Sequence, residues 1–96
     1  MVSNQVLRDL AIKVDKILKE ELEKSKISFD LAEARIYDAL TVGVQGDQRT
    51  YGHPAEITLY DKGEFVWDRK FLETLSNRIT NEVQGINKVV YLTEYV

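Results

Sequence analysis

Apolar residues near the start of the chain recur with a helical period. Leu7, Leu10, Ala11, Val14, Ile17, Leu18 and Leu22 fall on one stripe, and Lys13, Lys16, Lys19, Glu20, Glu23 and Lys24 fill the opposite side. The spacing predicts a helix over residues 4–25, with the Ser3 hydroxyl placed to accept a free N–H of its first turn. The stripe reads as a core face. Glu20, Glu21 and Glu23, set among lysines, read as a solvated face.

Residues 26–35 are ambiguous. The run Asp30-Leu31-Ala32-Glu33-Ala34-Arg35 has helical propensity and reads as one or two turns leading into a strand. Residues 36–45 then alternate, with Leu40, Val42 and Val44 on one face and Thr41, Gly43 and Gln45 on the other. Gly46 and Asp47 break the run with turn chemistry, because glycine tolerates positive φ and aspartate bonds its own neighbouring backbone. Gln48, Arg49, Thr50 and Tyr51 lead into a second extended run, so a hairpin is expected whose tip carries Gln45, Asp47, Gln48 and Arg49. The tip is either a solvated turn or a place that holds an anion or a partner carboxylate.

Gly52, His53 and Pro54 interrupt that second run. Proline has no N–H, so this point must be an edge, a bulge or a strand's beginning, and Gly-His-Pro reads as a loop. Ala55, Ile57 and Leu59 next alternate with Glu56, Thr58 and Tyr60 as a half-buried strand, and residues 61–64 form a turn. Phe65, Val66 and Trp67 are expected to anchor the next element to the core. Asp68 is a suitable N-cap for a second helix, with Phe71, Leu72, Leu75, Ile79 and Val83 as its buried stripe and Gly85 where a left-handed C-terminal residue belongs. A last strand is expected over residues 88–95. Val89, Tyr91 and Tyr95 line one of its faces, and Val90 and Leu92 the other. The order helix-strand-strand-helix-strand implies an α+β fold: a two-layer sandwich with both helices on one face of a small, mainly antiparallel sheet. Because the last strand is apolar on both sides, a second copy of the sheet is the expected cover for the far face.

The totals narrow the function more than the fold. A chain of 96 residues suits one small domain, residues 1–96. The formal net charge of −3 disfavours broad nucleic-acid binding, which needs a basic face. The absence of cysteine removes disulfides, thiolate catalysis and thiolate metal sites. No apolar run approaches the length needed to span a bilayer, so a cytoplasmic protein without membrane contact is expected. His53 is the sole histidine and has no metal-binding companion, so no metal site is expected. The serines lack a recognisable base, and no catalytic residue is assigned. Asn77, Arg78, Asn81 and Glu82 lie on the polar side of the second helix, where they suit either a subunit contact or a surface pair between Arg78 and Glu82.

Two stretches, taken together, resemble the C-terminal dimerisation domain of GMP synthetase. One is Val42-Gly-Val-Gln-Gly-Asp-Gln-Arg-Thr-Tyr51. The other is Leu75-Ser-Asn-Arg-Ile-Thr-Asn-Glu-Val-Gln-Gly-Ile-Asn-Lys-Val-Val-Tyr91, and the helix around Ile17-Leu-Lys-Glu-Glu-Leu-Glu-Lys24 is similar as well. The resemblance implies a part in GMP biosynthesis from xanthosine monophosphate, ATP and ammonia. It implies a homodimer, and association with the ATP-pyrophosphatase part of such an enzyme. It also implies phosphate contacts from Gln45 and Arg49, through an amide N–H and a bidentate guanidinium, while Arg49 equally suits a structural pair with Asp47 or with a partner subunit.

The sequence also departs from the family. The phosphate loop of the ATP-pyrophosphatase domain and the cysteine of the glutaminase are missing. Thr93-Glu-Tyr-Val96 stops before the family's nucleotide-gripping tail. Thr58 stands where an arginine is usual, residues 61–67 lack a Met-Thr-Ala element, and Leu92 replaces an aspartate. A module that is not catalytic by itself is therefore expected. It would bind no cofactor alone, although the family enzyme uses ATP and Mg. The alternative is a stand-alone purine-nucleotide-binding or regulatory module that associates with the ATP-pyrophosphatase subunit.

Overall fold

The computed structural model describes residues 4–45 and 48–93, with the backbone path alone described for 41–45 and 48–51. The elements run α1 (Asn4–Ser25), β1 (Leu31–Ile36), β2 (Thr41–Gln45), β3 (Gln48–Asp61), β4 (Glu64–Phe65), α2 (Arg69–Glu82) and β5 (Ile86–Leu92). β1, β2 and β4 pair antiparallel with β3, and β5 pairs parallel with it. The fold is the expected α+β two-layer arrangement, with β3 as the strand on which the others assemble.

The helices behave as the periodicity predicts. Leu10, Val14, Ile17, Leu18 and Leu22 of α1 meet Phe71, Leu72, Leu75 and Ile79 of α2 over Ala55, Ile57 and Leu59 of β3. Val14, Leu18, Ile57, Leu59, Leu75 and Ile79 are sealed from solvent. The Asp68 carboxylate accepts the Phe71 N–H at 3.0 Å, capping α2. Past the end of that helix, Gly85 takes φ +104° beside Leu10. The Ser3 cap lies outside the described residues.

The structure differs from expectation in five places. Residues 31–36 are a strand, because Ala32, Ala34 and Ile36 pack on the core while Glu33 and Arg35 face away; tertiary burial overrides helical propensity. The strand expected over 36–45 is split, since Ile36 pairs with Ala55 but Thr41 pairs with Gly52. Residues 37–40 of that arm therefore face only His53 and Pro54 of β3, a bulge. Gly52, His53 and Pro54 are no loop; they are buried within β3, and the register against β5 also shifts between His53 and Pro54. Trp67 is 70% exposed while Phe65 and Val66 pack on the core, so the anchoring cluster is two residues, not three. The last strand ends at Leu92, and Tyr95 lies outside the described residues.

Candidate functional site: hairpin and outer sheet face

The predicted hairpin exists as backbone. Gln45 pairs with Gln48 and Val44 with Arg49, so the positions of Gln45 and Arg49 are one pair apart and belong to opposite faces of the ribbon, both beside its turn. Gly46 and Asp47, and the side chains of Gln45, Gln48 and Arg49, lie outside the described residues.

The root of that hairpin is fixed by backbone chemistry. Tyr37 N–H donates to Pro54 O at 3.1 Å. In an antiparallel ladder such a pair normally exchanges two bonds. The second would run from residue 54 to Tyr37 O, and proline has no N–H to give. The His53 imidazole supplies it, with Nδ1 2.9 Å from Tyr37 O. A carbonyl only accepts, so Nδ1 carries the proton. On the other flank His53 N–H donates to Gly85 O at 2.7 Å. Gly52 is pressed there as well: a Cβ on it would stand 2.8 Å from Gly85 O and 3.2 Å from Asn87 N. Glycine at 52 is demanded by this close approach.

The outer sheet face, opposite the helices, follows from the register. Leu31, Glu33 and Arg35 of β1 stand across from Tyr60, Thr58 and Glu56 of β3, and Val90 and Leu92 of β5 stand beside Glu56 and Thr58. The face divides into two halves. Towards one end, Leu31, Tyr60 and Phe65 edge a shallow hollow of about 590 Å³, with the Tyr60 and Phe65 rings edge to face at 6.1 Å. Towards the other, Arg35 and Glu56 face each other, and the Tyr37 hydroxyl donates to the Glu56 carboxylate. That carboxylate favours the protonated phenol and holds Tyr37 above the usual tyrosine range. Val90 and Leu92 are only half-buried.

Arg78 is not part of a free helix surface. Its guanidinium reaches Glu20 at 2.7 Å and Glu21 at 3.1 Å on α1, as well as Glu82 at 2.7 Å on its own helix. The pair with Glu82 is the surface pair anticipated; the two bonds to α1 make Arg78 an interhelical tie. Glu21 is correspondingly buried, not solvated. Hydrogen bonds donated to Glu82 and Glu20 raise the Arg78 pKa, and the bond from Arg78 lowers that of Glu20. The signal missed in the sequence was spacing: Glu21 sits one residue before Leu22 and three after Leu18, on the margin of the buried stripe. On the far side of α2 the Tyr91 hydroxyl donates to Leu72 O at 2.8 Å and accepts from Ser76 Oγ at 2.6 Å. Burial holds that phenol above its usual range.

A small α+β module built on one long central strand, with an outer sheet face whose Thr58 and Tyr60 are buried and whose Leu31, Val90 and Leu92 are half-buried, is the class that these features define. Residues 15–94 match the family described as the GMP synthase C-terminal domain, and the chain belongs to that family. Glutamine-hydrolysing GMP synthases are similar along most of it. That of Crocosphaera subtropica is 40% identical over 94 residues, and that of Synechocystis is 43% identical over 94; each match covers 90% of this chain and 17% of the relative. The Streptomyces coelicolor enzyme is 38% identical over 91 residues, covering 85% of this chain and 17% of the relative. The chain thus spans about a sixth of the length of these relatives. A crystal structure from Lactobacillus casei shares the fold alone, with a TM-score of 0.54 at 13% identity over 100% of this chain and 69% of that one. No described helix is long and apolar enough to cross a membrane.

Proposed function

We propose that this chain is a module of cytoplasmic GMP biosynthesis that is not catalytic by itself and pairs two copies through their outer sheet faces. The observation that carries the reading is the placement of the half-buried Leu31, Val90 and Leu92, around the buried Tyr60, on the face turned away from both helices. Apolar side chains left half-exposed on one face of a small sheet gain free energy when a second such face covers them. Their pattern also suits twofold pairing, in which each surface meets its own copy. The charged half, with Glu33, Arg35 and Glu56, then forms the polar rim of such a contact.

The hairpin has a second part in this reading. Gln45 and Arg49 contribute phosphate contacts to the xanthosine monophosphate site of the assembled enzyme, whose ATP, Mg and pyrophosphatase machinery reside in the catalytic partner. Family membership supports it, and the register sets both residues beside the turn, where two faces of a ribbon come within reach of one anion. Light scattering at high micromolar concentration should give the mass of two chains; a strict monomer contradicts the pairing. Titration of isotope-labelled protein with xanthosine monophosphate should shift the Gln45 and Arg49 amides in the millimolar range. Unmoved amides there would remove the nucleotide role.

A further inference from the structure

We infer that His53 is a positioning residue: its imidazole locks the joint between the two-layer body and the β2–β3 hairpin, and so sets where Gln45 and Arg49 stand. The part concerning Gln45 and Arg49 rests on the phosphate contact proposed for that hairpin. The lock itself rests on geometry alone.

At residues 37–40 the arm carrying β2 leaves the ladder, with four residues facing His53 and Pro54. A bulge with an unpaired carbonyl at its start is a natural hinge, since the bonds on either side of it do not constrain one another. Pro54 creates that vacancy, because its nitrogen cannot donate to Tyr37 O. The residue before it fills the vacancy from its side chain, at 2.9 Å. The same residue donates its own backbone N–H to Gly85 O. One residue therefore ties the departing arm on one flank of β3 to the α2–β5 connection on the other. His53 is 5% exposed, so water does not compete for these bonds. The glycine before it brings β3 hard against residues 85 and 87, and the residue after it is a proline of fixed φ. Among the described residues of the joint, this side-chain donor bridges segments that are otherwise held by backbone, beside the Tyr37 hydroxyl bonded to Glu56.

The test compares His53→Leu, which keeps apolar bulk and removes the donor, with His53→Asn, whose amide nitrogen stands near the place of Nδ1. Amide hydrogen exchange is followed in the paired arms of the hairpin and, as an internal reference, at Ile57 and Leu59 in the core. The Leu variant should raise hairpin exchange about tenfold relative to the core amides, and the Asn variant should restore most of the protection. Xanthosine monophosphate should bind about tenfold more weakly to the Leu variant, by the same loss of a fixed joint, while its assembly mass is unchanged. Hairpin exchange in the Leu variant that rises only in step with the core, or an Asn variant no better than Leu, overturns the lock. If the unaltered protein shows no nucleotide binding, the phosphate reading fails and the exchange comparison alone decides the role of His53.

Discussion

Replacing Gly52 with alanine isolates one packing demand of the fold. The new Cβ would stand 2.8 Å from Gly85 O, 3.1 Å from Gly85 C and 3.2 Å from Asn87 N. All three obstacles are backbone, so no side chain can swing aside. Either β3 or the turn before β5 must retreat by several tenths of an ångström, beside the 2.7 Å bond from His53 N to Gly85 O. Overpacking of this kind costs about 1–3 kcal/mol, and rigid obstacles place it in the upper part of that range. Alanine also narrows the unfolded ensemble, which returns about 0.4–1 kcal/mol. The net loss is about 2 kcal/mol. A domain of this size is stable by about 5–15 kcal/mol, so the loss is a substantial share of the total. Each kcal/mol shifts the midpoint of such a domain by about 4–8 °C, which gives a fall of about 8–16 °C. Circular dichroism at 222 nm is the suitable probe; the fluorescence of Trp67, already exposed in the native state, would report unfolding poorly. Protein concentration must be held fixed, because self-association shifts apparent stability. A Gly52→Ala protein as stable as the original would refute the close approach on which this account of the hairpin root depends.

Two further perturbations test the two layers. Leu75 is sealed between the helices and the sheet, so Leu75→Ala should cost about 2–5 kcal/mol, read as a lowered urea midpoint with an unchanged slope. The bond from Arg78 holds the Glu20 pKa below its ordinary value, so this carboxylate contributes stability that is present above its unfolded pKa and lost as pH falls through the depressed folded one. Acid titration of the melting temperature should therefore be shallower below the ordinary glutamate range in Arg78→Met than in the original, and parallel curves would remove the tie between the helices.

Both helices were legible because their patterns have one interpretation. The α1 stripe from Leu7 to Leu22 and the Asp68 cap followed by the α2 stripe each agree with local propensity and with burial. The strand at Leu31–Ile36 was harder, since Leu-Ala-Glu-Ala-Arg favours helix by propensity while its alternation of small apolar and charged residues favours a strand. Packing against α1 decided it. The role of His53 was not legible at all. A lone histidine before a proline suggests a loop, and only the register shows that the proline removes a donor which the histidine replaces. Arg78 was half legible: its i,i+4 partner Glu82 is visible in sequence, but Glu20 and Glu21 lie 58 and 57 residues away. The hairpin that carries Gln45 and Arg49 was read correctly as backbone pairing from the Gly46-Asp47 turn chemistry.

The claim that most of the function rests on is that two copies meet through the sheet face turned away from the helices. The direct measurement is a sample mixed from isotope-labelled and unlabelled chains, in which only contacts between copies give filtered nuclear Overhauser signals. Signals from the methyl groups of Leu31, Val90 and Leu92 are predicted. Their absence, with signals instead from Ile12 on the exposed side of α1, would contradict the account.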